Sequence, residues 1–490
     1  MSEKLKEPFA FVIFGGTGDL SRRKLIPALY HLADLGYLPD KCAIAGTSRT
    51  AMTDESFRAF ARDAIMEHQK EDQPAAPPDP EKLTPFVYYQ PGDTTKPESF
   101  FALKARLDEL DEELGLQGNR LFYLAVAPDL VQGIVENLHE ARMLHHSTRR
   151  SWIRVVFEKP FGRDLKSALE LNGSIKRILH ENQIFRIDHY LGKETVQNIL
   201  TFRFGNSIFE PIFNRTHVAN IRITVAESIG MESRRGAYYD TAGALRDIVQ
   251  NHALQLLCLT TMEPPASFDA ESIRDEKVKV LRSLHPMSAG EVANSTVRGQ
   301  YKGYRAEEGV HPESRTETYA AVRTTIDNWR WSGVPIVIQT GKRMAERRTG
   351  IEIEFSRPPL CLFREFADYP PNPNSLGIRI QPNEGISLSF VCKEPGARFA
   401  VQDVKMDFSY GQAFGRRSPE AYERLLLDAL RGDASLFTRS DEVEAAWRFI
   451  SKIQEGWAKL PDPVFPNYEP ASQGPAEASR LLNPAQTLRQ

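Results

Sequence analysis

An apolar run from Phe9 to Phe14 breaks into Gly15-Gly16-Thr17-Gly18 and opens onto a helix-forming stretch that stops near Gly36. Only residues without a Cβ let a backbone turn that sharply, so the segment reads as strand, tight turn, helix. The helix N-terminus then faces the end of the strand, with free amides and a partial positive charge that suit a phosphate. Gly16-x-Gly18-x-x-Ser21 fits the dinucleotide pattern, with serine at the third place where Gly or Ala is usual. Alone, the pattern also fits a turn that binds nothing. Its place on the first strand of an alternating domain points to a bound dinucleotide.

That alternation continues. Strand-like runs at Phe9–Phe14, Cys42–Gly46, Phe86–Tyr89, Leu121–Val126 and Trp152–Phe157 are separated by amphipathic stretches at about 18–35, 53–70, 97–114 and 128–143. Strand and helix in turn predict a mostly parallel sheet covered on both faces. The prolines between Gln73 and Pro80 end any helix there and predict a surface loop. Beyond about residue 185, strand-like runs follow one another at Val218–Ala226, Thr318–Ile326, Val334–Gln339, Gly350–Phe355, Leu376–Ile380, Ile386–Val391 and Val404–Phe408. Two helical stretches, about 241–262 and 418–430, interrupt them. The expected architecture is α/β + α+β: a doubly wound Rossmann-type domain over 1–185, then an α+β domain over 186–490 with a large, mainly antiparallel sheet.

After the second strand comes Thr47-Ser48-Arg49-Thr50, with no carboxylate. An NAD site usually places Asp or Glu near this point to hold the ribose hydroxyls. An arginine flanked by hydroxyls suits the 2′-phosphate of NADP, so NADP is expected and NAD use stays open. The 62 basic and 65 acidic residues leave a net charge of −3, so no basic field argues for nucleic acid, and no apolar run is long enough for a membrane. Cys42, Cys258, Cys361 and Cys392 form no CxxC pair, which speaks against a disulfide scaffold or a cysteine-rich metal site. An N-terminus that carries acidic residues and no long apolar segment does not read as a secretory signal, and a cytoplasmic location is expected.

Arg186-Ile-Asp188-His189-Tyr190-Leu-Gly192-Lys193-Glu194 packs bases, acids, an imidazole and a phenol into one short segment. On composition alone it could be a solvated turn. It resembles, however, the active-site signature of the glucose-6-phosphate dehydrogenase family, and other motifs follow in that family's order. Gly15 to Lys24 resembles the coenzyme loop, Glu158-Lys159-Pro160-Phe161-Gly162 a second fingerprint, Asp247 to His252 the catalytic helix, and Thr340-Gly341-Lys342 with Arg347 a distal substrate loop.

The resemblance implies oxidation of D-glucose 6-phosphate to 6-phospho-D-glucono-1,5-lactone. It makes His252 the base that takes the C1 hydroxyl proton and Asp188 the carboxylate that orients it, an arrangement suited to an imidazole. His189, Tyr190 and Lys193 would hold the sugar phosphate. Lys159 would serve substrate and coenzyme, with a cis bond to Pro160. Glu227 and Asp247 would accept from sugar hydroxyls. Lys342 and Arg347 would be further substrate ligands. For the coenzyme the resemblance implies Gly15, Gly16, Gly18, Asp19, Leu20, Arg49, Tyr123 and Pro128. Val126-Ala127-Pro128 departs from the family's usual Leu-Pro-Pro, which leaves the contact of that loop with the coenzyme open. By spacing alone His252 could equally be a capped helix histidine.

Two other readings stay beside this one. The glucose–fructose and inositol dehydrogenase-like enzymes also join a Rossmann domain, a Glu-Lys-Pro motif and an antiparallel sheet, but lack the 186–194 run. A non-catalytic sensor of NADP or phosphosugar could dispense with Asp188 and His252, and both are present. No metal is called for, since a base and a hydride acceptor suffice. A homodimer or homotetramer is expected.

Overall fold

The computed structural model describes residues 4–72, 77–145, 151–231, 235–360, 362–363, 372–396, 399–415 and 419–482. Cys361 and residues 73–76 of the expected proline-rich loop lie outside them. The chain forms two compact units: Met1–Lys193 with Asp269–Arg274 and Pro419–Val443, and Glu194–Phe268 with Asp275–Ser418 and Glu444–Gln490.

The first unit is built on β1 (Phe9–Phe14), β2 (Cys42–Thr47), β3 (Val87–Tyr89), β4 (Arg120–Leu124), β5 (Ile153–Phe157) and β6 (Ile184–Ile187). Their order is β6-β5-β4-β1-β2-β3, all parallel, with the short strand Phe437–Thr438 antiparallel at the β6 edge. Every residue of β1 is buried, as a parallel strand covered on both faces must be. The strand order reverses between β1 and β4. Ligands of doubly wound sheets bind outside the carboxyl ends of strands at such a point, and the glycine turn sits there.

A cut at residue 185 would run through β6, which pairs with β5 through Val155↔Ile184 and Phe157↔Arg186. No shift of composition marks the real crossing. The core of this unit also takes in Leu425, Leu426 and Leu430 from helix Ala421–Arg431, packed with Leu25, Ile26 and Leu29 of the helical stretch after the glycine turn. That helix was expected among the strands of the second domain. It belongs to the first unit because its apolar face fills the face of the parallel sheet.

The second unit carries β7 (Val218–Ala226), β8 (Thr296–Gly299), β9 (Tyr319–Thr324), β10 (Ile336–Gly341), β11 (Arg348–Phe355), β12 (Ser375–Gln381), β13 (Gly385–Lys393) and β14 (Val401–Ser409). They order as β14-β13-β12-β11-β7-β10-β9-β8. Neighbours are antiparallel except β7 and β10, which run parallel. Helices beyond the two expected also appear, among them Glu194–Phe204, Ala270–Arg282 and Ser440–Trp457. Their apolar residues recur at helical spacing, as in Val443, Ala446, Trp447, Ile450 and Ile453, so a periodicity count had the signal.

Candidate active site

In the first unit the glycine turn is shaped by contact. Gly15 has φ +82°, and a Cβ there would lie 2.3 Å from the Ala125 carbonyl oxygen. A Cβ on Gly16 would lie 2.8 Å from the Gly46 Cα. The Gly15 and Gly16 amides both donate to the Thr47 carbonyl (2.9 and 3.1 Å), and the Gly18 amide donates to that of Gly15 (2.8 Å). These glycines therefore build the turn, and the amides left to face an anion are those of the first helical turn, Asp19, Leu20 and Ser21. The Asp19 side chain is exposed and 3.7 Å from the Arg23 guanidinium. The glycine cradle and the helix start fit a pyrophosphate.

Arg49 is exposed in the turn after β2. The Ser48 hydroxyl lies 2.9 Å from that of Thr17 and 2.8 Å from that of Tyr89. It also accepts from the Thr50 amide at 3.3 Å. The Ser48 hydroxyl is thus engaged within the protein. Tyr123 is fully buried at the end of β4, its hydroxyl donating to Glu158 Oε1 at 2.5 Å. Pro128 is exposed at the start of a short helical turn.

Glu158 follows β5 and accepts a second bond, 3.1 Å, from the Tyr422 hydroxyl. Burial pushes its carboxyl above the usual carboxylate range. The bond from Lys159 to Pro160 is cis. After β6, the Asp188 carboxylate accepts the Tyr190 amide at 2.9 Å and closes a tight turn. His189 stands edge-on to the Tyr190 ring with centroids 5.1 Å apart, and the Lys193 ammonium lies 5.5 Å from the centroid of the same ring. Imidazole, phenol and ammonium are so gathered on one turn. Gly192 is needed there: a Cβ would fall 2.6 Å from the Ala421 carbonyl oxygen.

In the second unit, β7 and β10 pair in parallel with Ala226 opposite Gly341, so Glu227 and Lys342 emerge side by side. The Lys342 ammonium donates to Glu227 Oε2 at 2.6 Å and lies 5.3 Å from the centroid of the Tyr239 ring. The Tyr468 hydroxyl donates to the Lys342 carbonyl at 2.8 Å. Burial first, then the Asp247 charge, pushes the Tyr239 phenol well above its ordinary value, so it stays a neutral donor. Tyr239 and Tyr468 went unremarked in the sequence, where a lone tyrosine carries no signal. Arg347 is exposed one residue before β11. It lines a cavity of about 410 Å³ with Arg379 and Gln381.

Asp247 and His252 share the wide, π-helical stretch Leu245–Ala253. Five residues apart on an α-helix they would lie about 140° apart around the axis. Bonding from i to i+5 brings such positions nearly into line. The local winding therefore does what sequence spacing on an ordinary helix could not. His252 is buried, and its amide donates to the Asn251 side-chain oxygen at 2.6 Å.

Residues 12–198 match the family model described as glucose-6-phosphate dehydrogenase, NAD binding domain, and residues 200–488 the model of the same family's C-terminal domain. A glucose-6-phosphate 1-dehydrogenase of Rhizobium meliloti (strain 1021) is 45% identical over 489 residues, covering 97% of this chain and 96% of its own. One of Chlamydia pneumoniae is 44% identical, covering 97% and 94%. A solved glucose-6-phosphate dehydrogenase in complex with glucose 6-phosphate is similar at a TM-score of 0.86 and 36% identity, with 98% of each chain covered. The Mycobacterium avium glucose-6-phosphate 1-dehydrogenase gives a TM-score of 0.83 at 36% identity, covering 97% of this chain and 96% of its own. A levoglucosan dehydrogenase, at 12% identity and a TM-score of 0.51, shares the fold alone.

Proposed function

The chain belongs to the glucose-6-phosphate dehydrogenase family, and on that premise we propose how its residues divide the work. The reaction is oxidation of D-glucose 6-phosphate to 6-phospho-D-glucono-1,5-lactone, the first step of the oxidative pentose phosphate pathway. The dinucleotide supplies the acceptor for the C1 hydride. The first unit binds it, and the turn after β6 together with the second unit binds substrate, the second unit also forming the oligomer contacts.

His252 takes the C1 hydroxyl proton, and Asp188 fixes its tautomer and stabilises the imidazolium. His189, Tyr190 and Lys193 bind the phosphate as charged and neutral donors. Glu227 and Asp247 accept from the sugar hydroxyls. Lys342, beside Glu227, donates to the sugar, and Arg347 supports binding from further along the same loop. Lys159 orients the sugar next to the nicotinamide. Gly15, Gly16 and Gly18 shape the pyrophosphate cradle, and Asp19 and Leu20 offer the helix-start amides. Tyr123 and Pro128 border the nicotinamide ribose.

The preferred coenzyme is NADP. The observation that supports this is Arg49 exposed after β2 with no carboxylate beside it in the turn. The enzyme works in the cytoplasm as a homodimer or homotetramer. Initial rates of nicotinamide reduction test the reading, comparing NADP with NAD on glucose 6-phosphate and using plain glucose as control. Fast turnover is expected with NADP and the phosphorylated sugar, and little with glucose. A folded protein with no turnover on either coenzyme would sink the catalytic reading.

A further inference from the structure

Arg49 sits in a turn with no regular ladder bonds, so something else must hold it. The Tyr89 hydroxyl does so from β3. It donates to the Thr50 carbonyl at 2.6 Å and reaches the Ser48 carbonyl at 3.3 Å, the residues on either side of Arg49. The Gly92 amide reinforces the Ser48 carbonyl at 2.9 Å. Donor counting fixes the direction of the remaining bonds. With the Tyr89 proton on Thr50, its oxygen accepts from Ser48, and Ser48 accepts from Thr17 and from the Thr50 amide. The glycine turn, the Arg49 turn and β3 are thereby joined by one chain of hydroxyls.

Tyr89 is itself firmly seated. It is 4% exposed, its ring lies 4.9 Å from that of Phe57, and its amide donates to Asp54 Oδ1 at 2.6 Å. Burial holds its phenol above the ordinary value, so it remains a proton donor throughout the working range.

We propose that Tyr89 is a positioning residue for coenzyme selection: by bracing the carbonyls that flank Arg49, it holds the guanidinium where a 2′-phosphate is read. The proposal rests on the assignment of Arg49 to that phosphate. A guanidinium on a long flexible stem gains bidentate geometry only if its backbone is held, whereas NAD, lacking the phosphate, makes no demand on it. Loss of the brace should therefore weaken one coenzyme and spare the other.

The test measures dissociation constants for NADPH and NADH by nicotinamide fluorescence in the full-length protein, for Tyr89→Phe, Arg49→Ala and the double variant. Tyr89→Phe should weaken NADPH on the order of five- to tenfold, the scale of a lost hydrogen bond. NADH should change less than about twofold, since it makes no bond to the guanidinium. Arg49→Ala should weaken NADPH more, and adding Tyr89→Phe to it should do nothing further, because the two act as one unit. Amide exchange at residues 48–51 should quicken in Tyr89→Phe. Equal weakening of both coenzymes would show a merely structural role and overturn the proposal. So would unchanged NADPH binding in Tyr89→Phe when Arg49→Ala does weaken it. If Arg49→Ala leaves NADPH untouched, the reading of Arg49 falls, and the proposal with it. Ser48→Ala removes another arm of the same chain and should reproduce the effect in the same direction.

Discussion

Lys342 and Glu227 form an ion pair whose partners are 9% and 24% exposed. Such a pair holds both side chains in place, and in the proposed role as sugar ligands that limits the ordering binding would require. His252 is different, because the role proposed for it is a proton transfer. His252→Asn should lower kcat on the order of a hundred- to ten-thousand-fold. KM for the sugar phosphate should stay nearly unchanged; a large rise in KM at normal kcat would move the base elsewhere. A third residue bears on stability. Burial pushes the Asp428 carboxyl up to about 6, although Arg424 pairs with it at 2.9 Å. An acid raised in the fold contributes stability that is fully present below its unfolded value, about 4, and is lost as pH rises through 6. Ionising it in place costs on the order of 3 kcal/mol. Asp428→Asn should therefore gain on the wild type at pH 7.5 relative to pH 4.5 in thermal unfolding. A gap that does not change with pH would show that Asp428 ionises freely in the fold.

At the scale of elements, the turn after β6 rests on the first turn of helix Ala421–Arg431, with Gly192 as the contact. In Gly192→Ala a new Cβ meets the Ala421 carbonyl, so the turn carrying His189, Tyr190 and Lys193 has to shift. KM for glucose 6-phosphate should rise about tenfold or more, since misplacement by an ångström can matter that much. NADPH affinity should hold; joint loss of both would mean that the fold, not the turn, has been damaged. The Gly15-to-Ser21 turn was readable from sequence because backbone sterics act within a few residues. The π-helical winding at Leu245–Ala253 was not, for the sequence reads as one helix over 241–262. The widened turn depends on how the helix packs.

At the scale of the whole molecule, the first unit is completed from far along the chain. A fragment ending at Lys193 retains the whole dinucleotide pattern but lacks Leu425, Leu426, Leu430 and Phe437, which are all buried in its core. It should show no cooperative thermal transition and no NADPH binding. A sharp transition in that fragment would show the returning segment to be dispensable. On the second unit, Met406 at 62% exposed and Phe414 at 63% sit on and just after β14, and such apolar exposure suits a partner surface. If the chain self-associates through this surface, Met406→Glu with Phe414→Glu should sediment as a smaller species. Unchanged sedimentation would place the contact elsewhere. By itself the sequence determined the alternation of strand and helix, the glycine turn after β1, the arginine after β2 and most of the antiparallel strands. Each of these is written in local periodicity or local sterics. Only the tertiary structure decided that the Tyr89 hydroxyl bonds the carbonyls on either side of Arg49, that β7 and β10 run parallel and set Glu227 against Lys342, and that residues 419–443 complete the first unit. Apolar burial is non-directional, so a buried face in the sequence does not name the face that covers it. That choice is made by packing between residues far apart in the chain.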